Sequence, residues 1–294
     1  MPFPLDLVDL EVPPVEHAVD SRWLMAYAAS VGAMGPSYVD TTRPDGIVAH
    51  PLFTVGLEWP AVLAMRDRFE QVGLRRDEAA RGVHLTHDLA LARPIVARDR
   101  LRTTARVASI RPHRSGTLVD LELVTIDEAG TPVVVTTMGT LYRGVDRAGA
   151  RDDDPSPGRP ADPDPSPSPS PDLVVPIEVP ANAAHVYTEC SRIWNPIHTD
   201  ARSAAKAGLP GIILHGTASL AMAVSSLVTR LAADDPRAVR AISCRFAAMV
   251  TLPSTLELRA WTGPPGAPVA FAVLGPGGAP VVRDGRVTLG DPLP

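Results

Sequence analysis

The sequence predicts an α+β protein built from two copies of one unit, each a long helix followed by a meandering antiparallel sheet. Two observations point to this class: the two halves of the chain repeat each other, and a stretch rich in Pro, Ser and Asp separates them. A third is that a helical apolar pattern precedes several strand-like segments in each half.

The composition is that of a globular protein. The 294 residues are 45% hydrophobic and 21% charged, with a formal net charge of -5, which suits two ordinary domains and excludes general disorder. Without a basic excess, nucleic acid and anionic membranes are poor partners. No run of about 18 apolar residues occurs, and residues 1–14 lack the features of a signal peptide. We therefore expect a cytoplasmic protein.

The repeat is visible in the residues themselves. YAASVGAMGPSYVD at residues 27–40 aligns with YTECSRIWNPIHTD at residues 187–200, at a constant offset of 160. Further on, AHPLF around His50 aligns with LHGTA around His215 at an offset of 165, so the second copy carries about five extra residues. Two copies of one folding unit are predicted.

Residues 151–171, RDDDPSPGRPADPDPSPSPSP, mark the boundary between the copies. Acids, Ser and Pro alternate there without a large apolar residue, so this stretch cannot build a core, and its prolines favour an extended chain. We predict an N-terminal repeat over residues 1–150, a linker over 151–171 and a C-terminal repeat over 172–294.

Each copy has one long helix, and strands follow it. In the first copy PLFTVGLEWPAVLAMRDRF follows His50, and in the second GTASLAMAVSSLVTRLAADD follows His215, with Leu220, Val224 and Leu227 at helical spacing. Small residues fill the remaining positions, so the second helix should be buried on all sides. Alternating or β-branched segments come next, such as TLVDLELVTID and PVVVTTMGTLYRG, then STLELRAWTG and PVAFAVLG. A sheet wrapped on a helix is expected in both copies.

The C-terminal copy contains a motif suited to chemistry. NPIHTD runs from Asn195 to Asp200, a small-residue helix follows, and GIILHGTASL occupies residues 211–220. Here the chain resembles the MaoC-like hydratases and dehydratases, a hotdog-fold family that includes the (R)-specific enoyl-CoA hydratases. The residues that carry the resemblance are Tyr187, Ser191, Asn195, Pro196, Ile197, His198, His215 and Gly216.

The resemblance implies a double hotdog whose first copy has lost the motif, since Tyr38 stands where His198 would be. It implies syn addition of water to a trans-2-enoyl thioester, giving a (3R)-hydroxyacyl thioester, or the reverse elimination. The substrate would be a CoA or acyl-carrier-protein thioester of fatty acid or polyketide metabolism. No cofactor and no metal are implied, and a homodimer of double hotdogs is compatible with the family.

Each motif residue fits a role in that reaction. His198 is the candidate acid or base, because imidazole exchanges protons near neutral pH. Asn195 would orient that ring or the water. The N–H of Gly216, at a helix start, would receive the thioester oxygen as enolate charge develops. Tyr187 and Ile193 are candidates for contacts with the substrate.

The chain departs from the family at one catalytic position. The family's aspartate, five residues before the histidine, is replaced by Ile193, and the glycine before it by Arg192. An isoleucine can neither hold nor deprotonate water. Four possibilities remain open: His198 acts as sole acid and base, another carboxylate substitutes, the reaction differs, or the protein does no chemistry.

Glu58 is the candidate substitute. It lies in the apolar helix of the first copy, LFTVGLEWP, whereas the helix at residues 216–230 of the second copy has no acid. Other hotdog dehydratases pair a histidine of one hotdog with a carboxylate of the other, and burial would raise the pKa of such a carboxyl group. Against this, Pro60 could interrupt the helix and expose the turn.

Several other residues have simpler interpretations. Asp200 precedes ARSAAKAG and should cap that helix, and His215 should cap or pack at a helix start rather than react. Cys190 could be a nucleophile of thioesterase type, but inert filling is the commoner role of such a thiol. His84 and His87 interrupt the alternation of a strand and receive no role.

Three functions from different classes compete. The first is hydration or dehydration of an acyl thioester, with Ile193 in place of the usual aspartate. The second is a thioester-binding or scaffold subunit without chemistry. The third is a related reaction on the same fold, either cyclisation by addition of a hydroxyl group or hydrolysis of the thioester.

Overall fold

The structure is a computed structural model that describes residues 3–146 and 170–293. The predicted linker at 151–171 lies outside the described residues except for its last two positions. The expected repeat boundaries at 150 and 172 therefore stay a prediction.

In both described ranges the helices precede most of the strands. The helices are α1 (Ser21–Ser30), α2 (Pro36–Val39), α3 (Thr54–Gln71), α4 (Arg76–Ala79), α5 (Ala183–Ser191), α6 (Ala201–Lys206) and α7 (Gly216–Leu231). The strands of the first half are β1 (Val15–Ala18), β2 (Gly82–Leu91), β3 (Arg100–His113), β4 (Gly116–Asp127) and β5 (Pro132–Arg143). Those of the second half are β6 (Leu173–Val179), β7 (Ile213–Leu214), β8 (Val239–Phe246), β9 (Val250–Thr251), β10 (Ser254–Trp261), β11 (Val269–Leu274) and β12 (Pro280–Leu289).

One continuous sheet joins the two halves. Within the described ranges, ten strands pair in the order β1-β3-β4-β5-β2-β8-β12-β11-β10-β6. The order is palindromic, because each strand of the first half has a counterpart equally far from the centre in the second. At the centre β2 pairs antiparallel with β8, and His87 lies opposite Cys244. The predicted α+β class and the repeated helix-and-sheet unit are confirmed.

The two long helices pack against this sheet, α3 on β3 and β4, and α7 on β12 and β6. In α7 every residue from Thr217 to Ser225 is buried, as its small side chains predict. In α3 the helix continues through Pro60, and the preceding turn is buried. The alternative that Pro60 exposes Glu58 is therefore wrong.

The first helix of each half, α1 or α5, meets the other at a pair of buried tyrosines. Helices α1 and α5 pack on each other, and the hydroxyl groups of Tyr27 and Tyr187 lie 3.2 Å apart. The Trp23 indole N–H donates to the Cys190 carbonyl oxygen at 3.1 Å. These contacts fix α5, and with it the start of the NPIHTD segment, against the first half.

Candidate active site

A cavity of about 850 Å³ lies between the two halves. The first half contributes residues of α3, β2 and β5, and the second contributes the NPIHTD segment, the start of α7 and the residues around β9. Of the predicted site residues, those that line it are Glu58, Ile193, Asn195, His198 and Gly216. The two repeats therefore build one site together.

His198 is the last residue of a short 3-10 turn, Pro196–His198, and Asn195 is the N-cap of that turn. Proline suits the first position of such a turn because it needs no N–H partner there. The His198 Nδ1 lies 2.8 Å from the carbonyl oxygen of Ile213. A carbonyl only accepts, so Nδ1 carries the hydrogen and the lone pair is on Nε2. Burial lowers the pKa of His198 to about 4, so the ring is a neutral base at pH 7.

The ring of His215 packs against the ring of His198. The two rings stack with centroids 3.6 Å apart and an interplanar angle of 24°, and the Thr188 hydroxyl group lies 3.3 Å from His215 Nε2. Its side chain makes no capping hydrogen bond at the start of α7, so of the two predicted roles it has the packing one. Stacking on a buried neighbour limits the rotation of the His198 ring.

The first copy has a similar pair of rings, but Tyr38 takes the place of His198. Tyr38 stacks on His50 at 5.9 Å and 30°, as His198 does on His215. The His50 ring accepts a hydrogen bond from the backbone N–H of Leu52 and lies 3.1 Å from the Ser225 hydroxyl group. The loss of the motif in the first copy thus leaves a packed pair of rings.

Gly216 opens α7 on the wall of the cavity. The first N–H groups of a helix have no partner inside it, and they carry the positive end of the helix dipole. A Cβ added at Gly216 would lie 3.0 Å from Cδ1 of Phe246. Any larger residue would therefore press on Phe246 and fill the space beside these donors.

We expect Gly216→Ala to lower turnover of an enoyl thioester about 10-fold or more while the protein stays folded. If these N–H groups bind the thioester oxygen, as the family resemblance implies, the added methyl group displaces it, and loss of one such donor costs about 10²–10³-fold in other enzymes. Initial rates and a thermal melt measure both effects. Unchanged turnover would show that the oxygen binds elsewhere.

Glu58 supplies the carboxyl group of the cavity. It is 4% exposed, and the Thr136 hydroxyl group donates to its Oε1 at 2.5 Å. Burial raises the pKa of Glu58 to about 7, so a large share of it is protonated near neutral pH. Among the described residues lining the cavity no other has a carboxyl group, and no hydrogen bond joins Glu58 to His198.

Three other residues named from the sequence are Ile193, Tyr187 and Asp200, and each lies in a different environment. Ile193 is buried on the cavity wall. Tyr187 is set back from the cavity, and its hydroxyl group donates to Thr217 Oγ1 at 3.1 Å, so it reaches the site only through Thr217. The Asp200 side chain accepts from the Ser203 N–H at 2.6 Å, which confirms the predicted cap of α6.

Cys190 shows none of the features of a nucleophile. It is half-buried, it does not line the cavity, and burial raises the pKa of its thiol. A reactive cysteine needs the opposite shift, toward thiolate.

Sequence reasoning gave no role to two histidines that line the cavity, His84 and His87. In a regular strand residues three apart point to opposite faces. Here a register shift between His84 and Thr86 interrupts β2, and such a bulge turns both rings to one face. The broken alternation was the only sign of this in the sequence.

Two classes of feature are absent from the described part of the chain. No group of three or more His, Cys, Asp or Glu side chains there is arranged to hold a metal ion. No helix there is long and apolar enough to span a membrane.

Comparisons with known families match both halves. Residues 164–264 match the model described as MaoC like domain, and residues 8–136 match the FAS1-like dehydratase domain region. Among curated proteins, the chain is 24% identical over 273 residues to the peroxisomal enoyl-CoA hydratase 2 of Arabidopsis thaliana, covering 85% of this chain and 84% of that one. It is 29% identical over 244 residues to 3-hydroxyacyl-thioester dehydratase X of Mycobacterium tuberculosis, covering 83% and 77%.

Solved structures agree on the fold. A MaoC-like dehydratase of Phytophthora capsici superposes with a TM-score of 0.80 at 22% identity, covering 97% of this chain and 96% of that one. A Mycobacterium tuberculosis protein described as having a double hotdog fold superposes with a TM-score of 0.58 at 17% identity, covering 96% of both chains. The double hotdog predicted from the sequence is confirmed.

Proposed function

Because the chain carries a MaoC-like domain and a FAS1-like dehydratase region, we propose that it interconverts a trans-2-enoyl thioester and a (3R)-hydroxyacyl thioester. The acyl group would be carried by CoA or a carrier protein. The observation that carries the proposal is the single cavity that holds a neutral imidazole, a carboxyl group of raised pKa and a helix start.

In the dehydration direction His198 Nε2 takes a proton from C2 of the acyl chain. The electron pair moves toward the thioester oxygen, where the N–H groups at Gly216 stabilise the charge. The Glu58 carboxylic acid protonates the C3 hydroxyl group, the C3–O bond breaks and water leaves as the C2–C3 double bond forms. Hydration runs through the same steps in reverse.

The resting protonation states suit this division of roles. With a pKa of about 4 His198 is neutral, and with a pKa of about 7 Glu58 is still an acid in weakly acidic solution. Isoleucine at position 193 leaves no carboxylate beside His198, so the acid comes from the first repeat instead. Asn195 lines the cavity next to His198 and would hold the water or the hydroxyl group.

The test is an assay of the purified chain with crotonyl-CoA and longer trans-2-enoyl-CoA esters. Hydration removes the absorbance of the conjugated thioester and yields a hydroxyacyl-CoA whose configuration chiral chromatography assigns. Hydrolysis would release the free thiol of CoA, and cyclisation would consume only substrates that carry a hydroxyl group. Either product without a hydroxyacyl-CoA would refute the proposed reaction.

A thioester-binding subunit without chemistry is the second candidate, and Ile193 is the observation that favours it. Tight binding of enoyl-CoA with no turnover of enoyl or hydroxyacyl thioesters would select it. Cytoplasmic location and a homodimer of double hotdogs stay predictions.

A further inference from the structure

Three residues that line the cavity carry buried polar atoms that the proposed reaction does not use, two of them in the first half and one, Ser219, on α7 of the second half. His87 is 1% exposed, and neither of its ring nitrogens has a hydrogen-bond partner among the described residues. The Trp59 Nε1 on α3 and the Ser219 Oγ on α7, one helical turn from Gly216, are likewise buried without a partner among the described residues. All three residues line the cavity. Leaving such groups unpaired costs stability, so a wall built only for an alkyl chain would not keep them.

A row of rings leads away from Gly216 toward His87. Phe246 lies against Gly216, the His84 ring centroid is 4.8 Å from that of Phe246, and the His87 centroid is 5.4 Å from that of His84. The His84 Nε2 donates to the carbonyl oxygen of Thr86 at 3.0 Å. The unpartnered His87 is thus separated from Gly216 by the rings of Phe246 and His84.

The histidines and the unpartnered groups of this wall suit a neutral oxygen, although Arg66, Arg81 and Arg143 line the same cavity and the Arg66 guanidinium lies 5.0 Å from the centroid of the Trp59 ring. Burial lowers the pKa of His87 to about 4 and that of His84 to about 3, so both rings are uncharged at neutral pH. A neutral imidazole offers one donor and one acceptor, an indole one donor, and a hydroxyl group both. A hydroxyl or keto group on the ligand would pair with them, whereas an alkyl chain would leave them unpaired.

Given the proposed function, we propose that these residues form a subsite of the cavity for an acyl chain that carries a hydroxyl or keto group beyond C3. His87, Trp59 and Ser219 are its specificity-determining residues. The substrate class is therefore an oxygenated acyl thioester.

The experiment measures affinity in the His198→Ala variant, whose turnover is expected to be too slow to consume the ligand during a titration, so that the result reports binding. Calorimetric titrations use trans-2-decenoyl-CoA and its 5-, 7- and 10-hydroxy derivatives. We expect at least one hydroxylated ester to bind about 10-fold more tightly than the parent, as one or two added hydrogen bonds would give. Equal affinity for all four esters would overturn the proposal.

Three substitutions in the same background identify the partners: Ser219→Ala, Trp59→Phe and His87→Leu. Each should reduce the preference for the hydroxylated ester while binding of the parent ester is kept. His87→Leu should also raise the melting temperature, because it removes two unpaired buried nitrogens. Met138→Leu is the matched control, since Met138 lies opposite His87 in the sheet and lines the cavity without a donor or acceptor nitrogen or oxygen on its side chain.

The hydroxyl and amide groups of pantetheine are the other source of neutral oxygen. If the pantetheine groups bind His87, Trp59 and Ser219, the three substitutions will reduce the affinity for all four esters and for free CoA equally. The proposal is then wrong. Failure of the enoyl-CoA assay with wild-type protein would instead concern only the proposed reaction.

Discussion

Replacing His198 with alanine is expected to lower turnover of crotonyl-CoA by roughly 10²–10⁴-fold, the usual share of a general acid or base. The Nε2 lone pair is fixed in the cavity by the bond from Nδ1 to the Ile213 carbonyl. Alanine removes it, and Asn195 has no basic atom to replace it. Initial rates at saturating substrate, with circular dichroism to verify folding, measure the effect.

Two variants serve as comparisons for that loss. Ile193→Ala should cost far less, because an apolar side chain only shapes the pocket. His113→Ala removes a histidine on β3 that does not line the cavity, and its turnover should equal that of the wild type. An active wild type whose His198→Ala variant is equally active would refute the site assignment.

Glu58→Gln is expected to abolish most turnover and to change how stability depends on pH. The amide still accepts from Thr136 but cannot supply a proton to the leaving hydroxyl group. In the wild type, kcat/KM should fall above the Glu58 pKa of about 7 and below the His198 pKa of about 4. Any residual activity of the variant should lack the alkaline fall.

The sign of the stability effect follows from the raised pKa of Glu58, which burial shifts from 4.5 to about 7. Below 4.5 the carboxyl group is protonated in both folded and unfolded chains. Between 4.5 and 7 the unfolded chain releases the proton first, so the folded state loses stability as pH rises. The loss is on the order of 3 kcal/mol, since one pKa unit corresponds to about 1.4 kcal/mol.

Glu58→Gln should therefore match the wild type near pH 4.5 and exceed it in unfolding free energy near pH 8. Urea denaturation of both proteins across this range measures the difference. Thr136→Val is a useful companion, because it deletes the hydroxyl group that donates to Glu58 and should raise the carboxyl pKa further. Stability curves that stay parallel at all pH values would show that Glu58 is hydrated and ionised in the folded protein.

Sequence by itself determined the parts of this protein that depend on local order. Helical spacing after His50 and His215 predicted the two long helices, and alternation predicted the strands, because both patterns follow from how side chains are placed along a single element. The Asp200 cap was readable for the same reason, since donor and acceptor are three residues apart. The motif ending at His198 marked the second repeat as the one that retains the histidine of the family's motif.

Only the tertiary structure decided which distant residues meet. Glu58 and His198 belong to different repeats, and they reach one cavity because β2 pairs with β8 and closes the sheet across the centre. The bulge in β2 turns His84 and His87 to the same wall. Tyr187 instead ends in the contact with Tyr27, behind the wall. Such outcomes depend on sheet register and on competition for buried space between segments far apart in the chain, which no local pattern encodes.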